Sequence, residues 1–188
     1  MIKTVLHGIF LALAFVPAAL SGFGRVPAVF TFFAQAAAHM PGLPGDYFRI
    51  CYYHLTLTSC DLLARIQFGS FFSHAQASIA RGVYIGSYCV LGRVSIGART
   101  QIASGVMIPS GKRQHSRSAD GSIAGSNLDH FETVSIGADC WIGTHAVILA
   151  PVGERTTIGA GAVVVKPIPA GVTAVGNPAR ILNSGEHS

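Results

Sequence analysis

Residues 136–148 read IGADCWIGTHAVI, with isoleucine at 136, 142 and 148 and glycine after the first two. An α-helix turns once in about 3.6 residues, so this spacing would scatter the isoleucines over every face. Plain strand alternation could put them on one side, but the recurring glycine would then be pointless. A solenoid of short strands accounts for both features. Each aliphatic points into a narrow core, and the small residue after it permits a sharp corner.

The same beat runs outward from this stretch. Upstream stand Ile79, Ile85 and Leu91, then Ile96, Ile102 and Ile108; downstream stand Val152, Ile158 and Val164. Ile66 and Phe72 read as a ragged first turn. Between Ile148 and Val152 the step is shorter than elsewhere, which predicts a tight corner there. Internal repetition of this kind predicts an all-β, parallel solenoid.

Composition agrees. Half of the 188 residues are hydrophobic, only 11% are charged, and glycine occurs 22 times. That profile fits a repetitive β structure, a membrane contact, or both. The net charge is +5, with arginine outnumbering lysine, which suits phosphate-bearing ligands. No basic run interleaved with aromatics occurs, so nucleic acid is not an expected partner. Cys51, Cys60, Cys89 and Cys140 form no CxxC pair and read as reduced core residues.

On these repeats, and on IGADCWIG (136–143), IGAGAVVVKPIP (158–169) and VGNPARIL (175–182), the sequence resembles the hexapeptide-repeat acyltransferases. The resemblance covers roughly residues 66–183. It implies a left-handed parallel β-helix, a triangular prism with three sixes per turn. The nearest types are maltose and galactoside O-acetyltransferases and bacterial surface-polysaccharide acetyltransferases. GFGR, PGLPGDYFR and GSFFSH resemble the latter subgroup. The domains expected are an apolar helical segment over 1–60, the β-helix over 61–183, and a tail over 184–188.

One stretch interrupts the sixes. Residues 109–133 form a polar excursion carrying Lys112, Arg113, His115, Arg117, Asp120, Asp129, His130 and Glu132. A solenoid tolerates such a loop at a corner, and one this long is usually functional. In the families resembled, a loop here carries the catalytic histidine and arches over the cleft between subunits; His115 is the matching residue. Acetyl transfer to a sugar hydroxyl needs the proton removed as oxygen attacks a thioester, and imidazole titrates in the right range. His130 is the runner-up. Arg113 and Arg117 are expected to bind the acceptor.

The resemblance also implies a groove for acetyl-CoA. Thr144, Ala160 and Gly161 match its lining, with Trp141 either covering the acyl end or filling a corner. Lys166 and Arg180 match the cations placed near the coenzyme phosphates. The expected assembly is a homotrimer and the expected acceptor a sugar or polysaccharide. An N-acetyltransferase on an amino sugar is the alternative. A γ-carbonic-anhydrase-like hydratase would need three converging imidazoles, and the close histidine pair is missing, so no metal is expected. His145 at its corner reads as packing or ligand contact, and His74 as structural.

The amino end is a separate matter. TVLHGIFLALAFVPAAL (4–20) is marginal for a membrane crossing. VPAVFTFFAQAAAHM (26–40) follows a glycine turn, then come the breaker cluster PGLPGD (41–46) and the strand-like CYYHLTL (51–57). Two apolar helices so joined suit a hairpin on one leaflet, with a helical cap or an oligomer contact as alternatives. The expected location is cytoplasmic, at the inner face of the bacterial membrane.

Overall fold

The computed structural model describes residues 2–111, 115–123, 125 and 131–182. Each coil of the chain passes through three short strands that belong to three different sheets, and about six coils stack into a parallel solenoid. Sheet A holds β1 (Ser59–Cys60), β4 (Ser78–Ile79), β7 (Val94–Ile96) and β10 (Val134–Ile136). Sheet B holds β2 (Arg65–Ile66), β5 (Tyr84–Ile85), β8 (Gln101–Ile102), β11 (Trp141–Ile142), β13 (Thr157–Ile158), β15 (Thr173–Val175) and an antiparallel β16 (Arg180–Ile181). Sheet C holds β3 (Phe71–Phe72), β6 (Val90–Leu91), β9 (Met107–Ile108), β12 (Val147–Ile148) and β14 (Val163–Val164).

The expected aliphatics form the core in register. Ile66, Ile85, Ile102, Ile142 and Ile158 pair in sequence down sheet B, all buried. The first turn is regular rather than ragged, because Cys60 pairs with Ile79 and completes it. The short corner before Val152 is present, and Val152 continues sheet A as a single bridge to Ile136. The corner before Ile168 repeats it, again through a proline, and Ile168 bridges Val152.

The glycines after the aliphatics do something other than expected. A Cβ on Gly86 would lie 2.6 Å from Ser104 N, and one on Gly143 2.5 Å from Ala160 N. They are small because the next coil's backbone lies against them. The left-handed corner itself falls further along and accepts large residues: Tyr88 (φ 59°), Arg99 (φ 61°), Asp139 (φ 56°), His145 (φ 57°) and Arg155 (φ 55°). These corner side chains stack down the edge. Arg99 meets Asp139 through two hydrogen bonds of 2.6 and 2.5 Å, and the His145 ring covers the space beside Gly105.

The outward residues give each face its own character. Sheet A presents Ser59, Ser78, Ser95 and Ser135 in a row. Sheet B presents Tyr84, Gln101, Trp141 and Thr157. Sheet C presents Phe71, Val90, Met107, Val147 and Val163, apolar from end to end.

Three helices close the amino end: α1 (Ile2–Leu20), α2 (Pro27–Ala38) and α3 (Gly42–Thr56). The breaker cluster thus opens a helix, and CYYHL continues it instead of forming a strand. Proline in a first helical turn sacrifices no hydrogen bond. Glycine is required at 45, where a Cβ would run into the Met40 carbonyl. Ile50, Cys51, Tyr52 and Tyr53 are consecutive and all buried, because α3 lies between the other helices and the first coil. That two-sided burial erases the helical pattern and makes the stretch look strand-like.

Arg49 fastens this cap. Fully buried, it donates from Nε to Ile66 O at 2.9 Å and from Nη1 to Ala37 O and Met40 O at 3.0 and 2.7 Å; Nη2 meets Asp46. One side chain therefore joins α2, α3 and β2. α2 and α3 take the capping role set against the membrane hairpin, whereas α1 packs on α3 and leaves its outer side open.

Candidate active site

The long excursion leaves the prism at the edge between sheets C and A. Its base is held by the coils above it. Ser110 Oγ accepts from Arg93 N at 2.9 Å, and Glu132 N donates to Ser110 O at 3.0 Å. Arg93 Nη1 donates to Phe131 O at 3.3 Å, with the guanidinium 5.6 Å from the Phe131 ring centroid. The His74 ring meets Phe131 edge-on at 5.2 Å, and its Nδ1 lies 2.9 Å from Ser73 Oγ. Burial, and then the nearby Arg93 charge, push the His74 pKa down. His74 and Arg93 sit at this edge on successive coils, so the repeat itself brings them together under the loop.

Further out, Arg117 and Ile123 form an antiparallel bridge, and Arg117 Nη1 donates to Gly121 O at 2.8 Å. Asp120 accepts from Ser122 N and Oγ, which lowers its pKa. His115 is exposed at the start of this small hairpin, with no partner among the described residues. Arg113, Lys112, Asp129 and His130 lie outside the described residues.

The expected coenzyme residues divide between two edges. Thr144, Ala160 and Gly161 stack on the edge between sheets B and C, where Gly161 N donates to Thr144 O at 2.8 Å. Gly161 has φ +68° and open space where a Cβ would be, so its backbone is free to be approached by a ligand. The turn 176–179 folds under this edge, with Val163 N donating to Gly176 O at 3.0 Å and Ala179 N to Val163 O at 2.9 Å. It delivers Arg180 to β16, exposed. Lys166 is also exposed but lies on the other edge, between sheets C and A, below the His115 loop. Trp141 fills no corner. It stands on the open face of sheet B, 61% exposed.

Within one chain, then, the apolar face of sheet C separates His115 and Lys166 from Thr144, Ala160, Gly161 and Arg180. The sequence reading missed His74, Arg93 and Phe131 as a cluster. Their signal was available: His74 and Arg93 each follow an inward sheet C residue by two positions, Phe72 and Leu91. No group of His, Cys, Asp and Glu able to hold a metal ion occurs among the described residues, and all four cysteines are free and buried.

Hexapeptide coils closed into a three-sheeted prism, with one long loop thrown from an edge, give this chain the parallel β-solenoid fold seen in left-handed β-helix acetyltransferases. It is similar to the galactoside O-acetyltransferase of Escherichia coli, 43% identical over 51 residues, 26% of this chain and 25% of that protein. It is similar also to the bifunctional protein GlmU of Azotobacter vinelandii, 33% identical over 115 residues, 60% of this chain and 22% of that one. The chain spans about a quarter of the length of these curated relatives. Among solved structures it resembles a galactoside acetyltransferase in complex with coenzyme A (TM-score 0.55, 20% identity, covering 86% of this chain and 82% of that one). It also resembles AntD, an N-acyltransferase from Bacillus cereus, in complex with dTDP and 3-hydroxybutyryl-CoA (TM-score 0.52, 17% identity, 64% and 68% covered). No family model matches the chain.

Proposed function

We propose that the protein is an acetyl-CoA-dependent O-acetyltransferase acting on a sugar hydroxyl of a polysaccharide or lipid-linked glycan. The observation that carries this reading is His115, held out on a loop whose base is clamped to the prism by Arg93 and Phe131. His115 takes the proton from the acceptor hydroxyl as that oxygen attacks the thioester carbonyl. The carbon–sulfur bond breaks, and the imidazolium returns the proton to the departing thiolate. No protein nucleophile is needed. The open Gly161 backbone beside Thr144 and Ala160 suits a thin pantetheine arm with amide groups to pair, and Arg180 suits phosphate. A hydroxyl acceptor is supported by one sequence relative that is by name an O-acetyltransferase, whereas the likeness to AntD is one of fold.

The active form is a homotrimer. His115 and Lys166 occupy one edge of the prism, Thr144, Ala160, Gly161 and Arg180 the next, with an apolar face between. A cyclic assembly that buries the sheet C row would bring the first edge of one chain to the second edge of its neighbour, completing each site between two copies. The test is to incubate the protein with acetyl-CoA and oligosaccharides bearing free hydroxyls, with amino sugars alongside, and weigh the products. An acetyl gain on hydroxyl-only acceptors is expected. Gain confined to amino sugars would move the reading to N-acetylation, and no transfer to either would remove it.

A further inference from the structure

The outer side of α1 is apolar from Val5 to Leu20. Val5, Ile9, Leu13, Phe15, Val16 and Leu20 are all about half exposed or more, and no polar side chain interrupts them. Phe32 on α2 extends the patch, 65% exposed. Contiguous apolar surface of this kind marks a contact site.

Three observations say what covers it. First, cations flank the patch, Lys3 before it and Arg25 after it, and no acidic residue occurs before Asp46. A second copy pairing through α1 would set cation against cation in either orientation. Second, a cleft of about 290 Å³ opens where α1 meets α3 and the first coil. It is lined by Lys3, His7, Asp46 and Arg65 together with Leu43, Leu62 and Leu63; the Asp46 carboxylate is held by Arg49 and Gln67, so Lys3 and Arg65 are the charges offered over an apolar floor. That is the chemistry of a phosphate headgroup and the start of its acyl chain. Third, α1 is pinned along its inner side, where Ala14 and Ala18 are fully buried, so it lies beside the body and does not project from it. Its length and composition would allow a crossing, but a crossing would strip it from α3. A helix so placed rests in the interface plane.

We propose that the protein sits on an anionic phospholipid surface through the outer face of α1, with the Lys3–His7–Arg65 cleft at headgroup depth. The surface also lies close to the site. The turn after α1 abuts the edge between sheets C and A, since a Cβ on Gly24 would lie 2.8 Å from Ala75 Cβ, next to His74. A glycan carried on a lipid would therefore arrive at the loop edge. The membrane contact itself does not depend on the acetyl-transfer reading.

The test is flotation of the full chain with vesicles of phosphatidylcholine and phosphatidylglycerol, against phosphatidylcholine alone. The wild type is expected to float with the anionic vesicles and to be released by salt. Leu13→Glu with Val16→Glu, both at exposed positions, is expected to reduce partition about ten-fold or more, with far-UV circular dichroism unchanged. Should that pair unfold, Lys3→Glu with Arg25→Glu is expected to abolish the preference for anionic vesicles. A wild type that stays in solution, or charge-reversed and glutamate variants that float like it, would overturn the proposal. So would a fall in assembly mass in the glutamate pair with vesicle binding unaltered, because a second copy would then be the occupant.

Discussion

The Arg93 guanidinium stands over the Phe131 ring, 5.6 Å from its centroid, and donates to the same residue's carbonyl at 3.3 Å. His74 closes on that ring from the coil above Arg93. Phe131 is thus where the returning loop is fastened, and the fastening sets where His115 can reach. Phe131→Ala should leave melting temperature nearly unchanged while lowering kcat about 10- to 100-fold, the scale of a misplaced catalytic group. Steady-state kinetics beside a melting curve check it; unaltered kcat would separate loop anchoring from turnover.

The sheet C row makes its own prediction. Met107 is central in that row and open in the single chain. Met107→Glu would place an unpaired carboxylate in the proposed interface, at a cost of several kcal/mol, about 2–7. Light scattering should show the assembly falling to monomers, with acetyl transfer lost in step. An active Met107→Glu monomer would mean that one chain completes the site.

Arg49 is the fastener of the helical cap. Arg49→Met removes four hydrogen bonds at once and takes the guanidinium donors from the Met40 and Ile66 carbonyls, while Ala37 O keeps its bond from Met40 N at 3.2 Å. The expected loss is about 3–5 kcal/mol, as for a broken buried charge pair. Denaturant unfolding measures it. A change within a few tenths of a kcal/mol would show that apolar packing alone holds the cap.

His74 gives stability a pH dependence of known sign. Its folded pKa is lowered by burial and by Arg93, so the unfolded chain binds this proton more readily. Stability from His74 is fully present above the ordinary imidazole value of 6.5 and is lost as pH falls from there through the lowered folded pKa. The wild type should lose melting temperature on acidification more steeply than His74→Phe. Parallel curves would place the acid sensitivity elsewhere.

What could be read from the sequence follows the period. Ile136, Ile142 and Ile148 announce the coil because one strand residue in each six must point inward, and glycine marks the tight approach even where its purpose is misread. The outer rows were equally periodic but lie one residue earlier, at Met107 and Val147, where an apolar residue on a β face looks unremarkable until three faces are compared. Cys60 was missed as a coil residue because no glycine follows it. α3 was hidden by burial on both sides, which fills Ile50 to Tyr53 with apolar residues and leaves no polar stripe. His115 stands out in the sequence because a loop breaks the repeat. The division of its proposed partners between two edges does not, since Lys166 and Gly161 are close in sequence and only the coil geometry parts them.

In the proposed reaction His115 takes the acceptor's proton. The direct measurement is kcat for acetyl transfer, together with Kd for acetyl-CoA, in His115→Ala and His130→Ala side by side. General-base catalysis by His115 predicts that His115→Ala loses about 10²- to 10⁴-fold in kcat with Kd nearly unchanged, and that His130→Ala keeps most of its turnover. Full turnover in His115→Ala with collapse in His130→Ala would assign the role to the other histidine. Full turnover in both would contradict general-base catalysis from this loop.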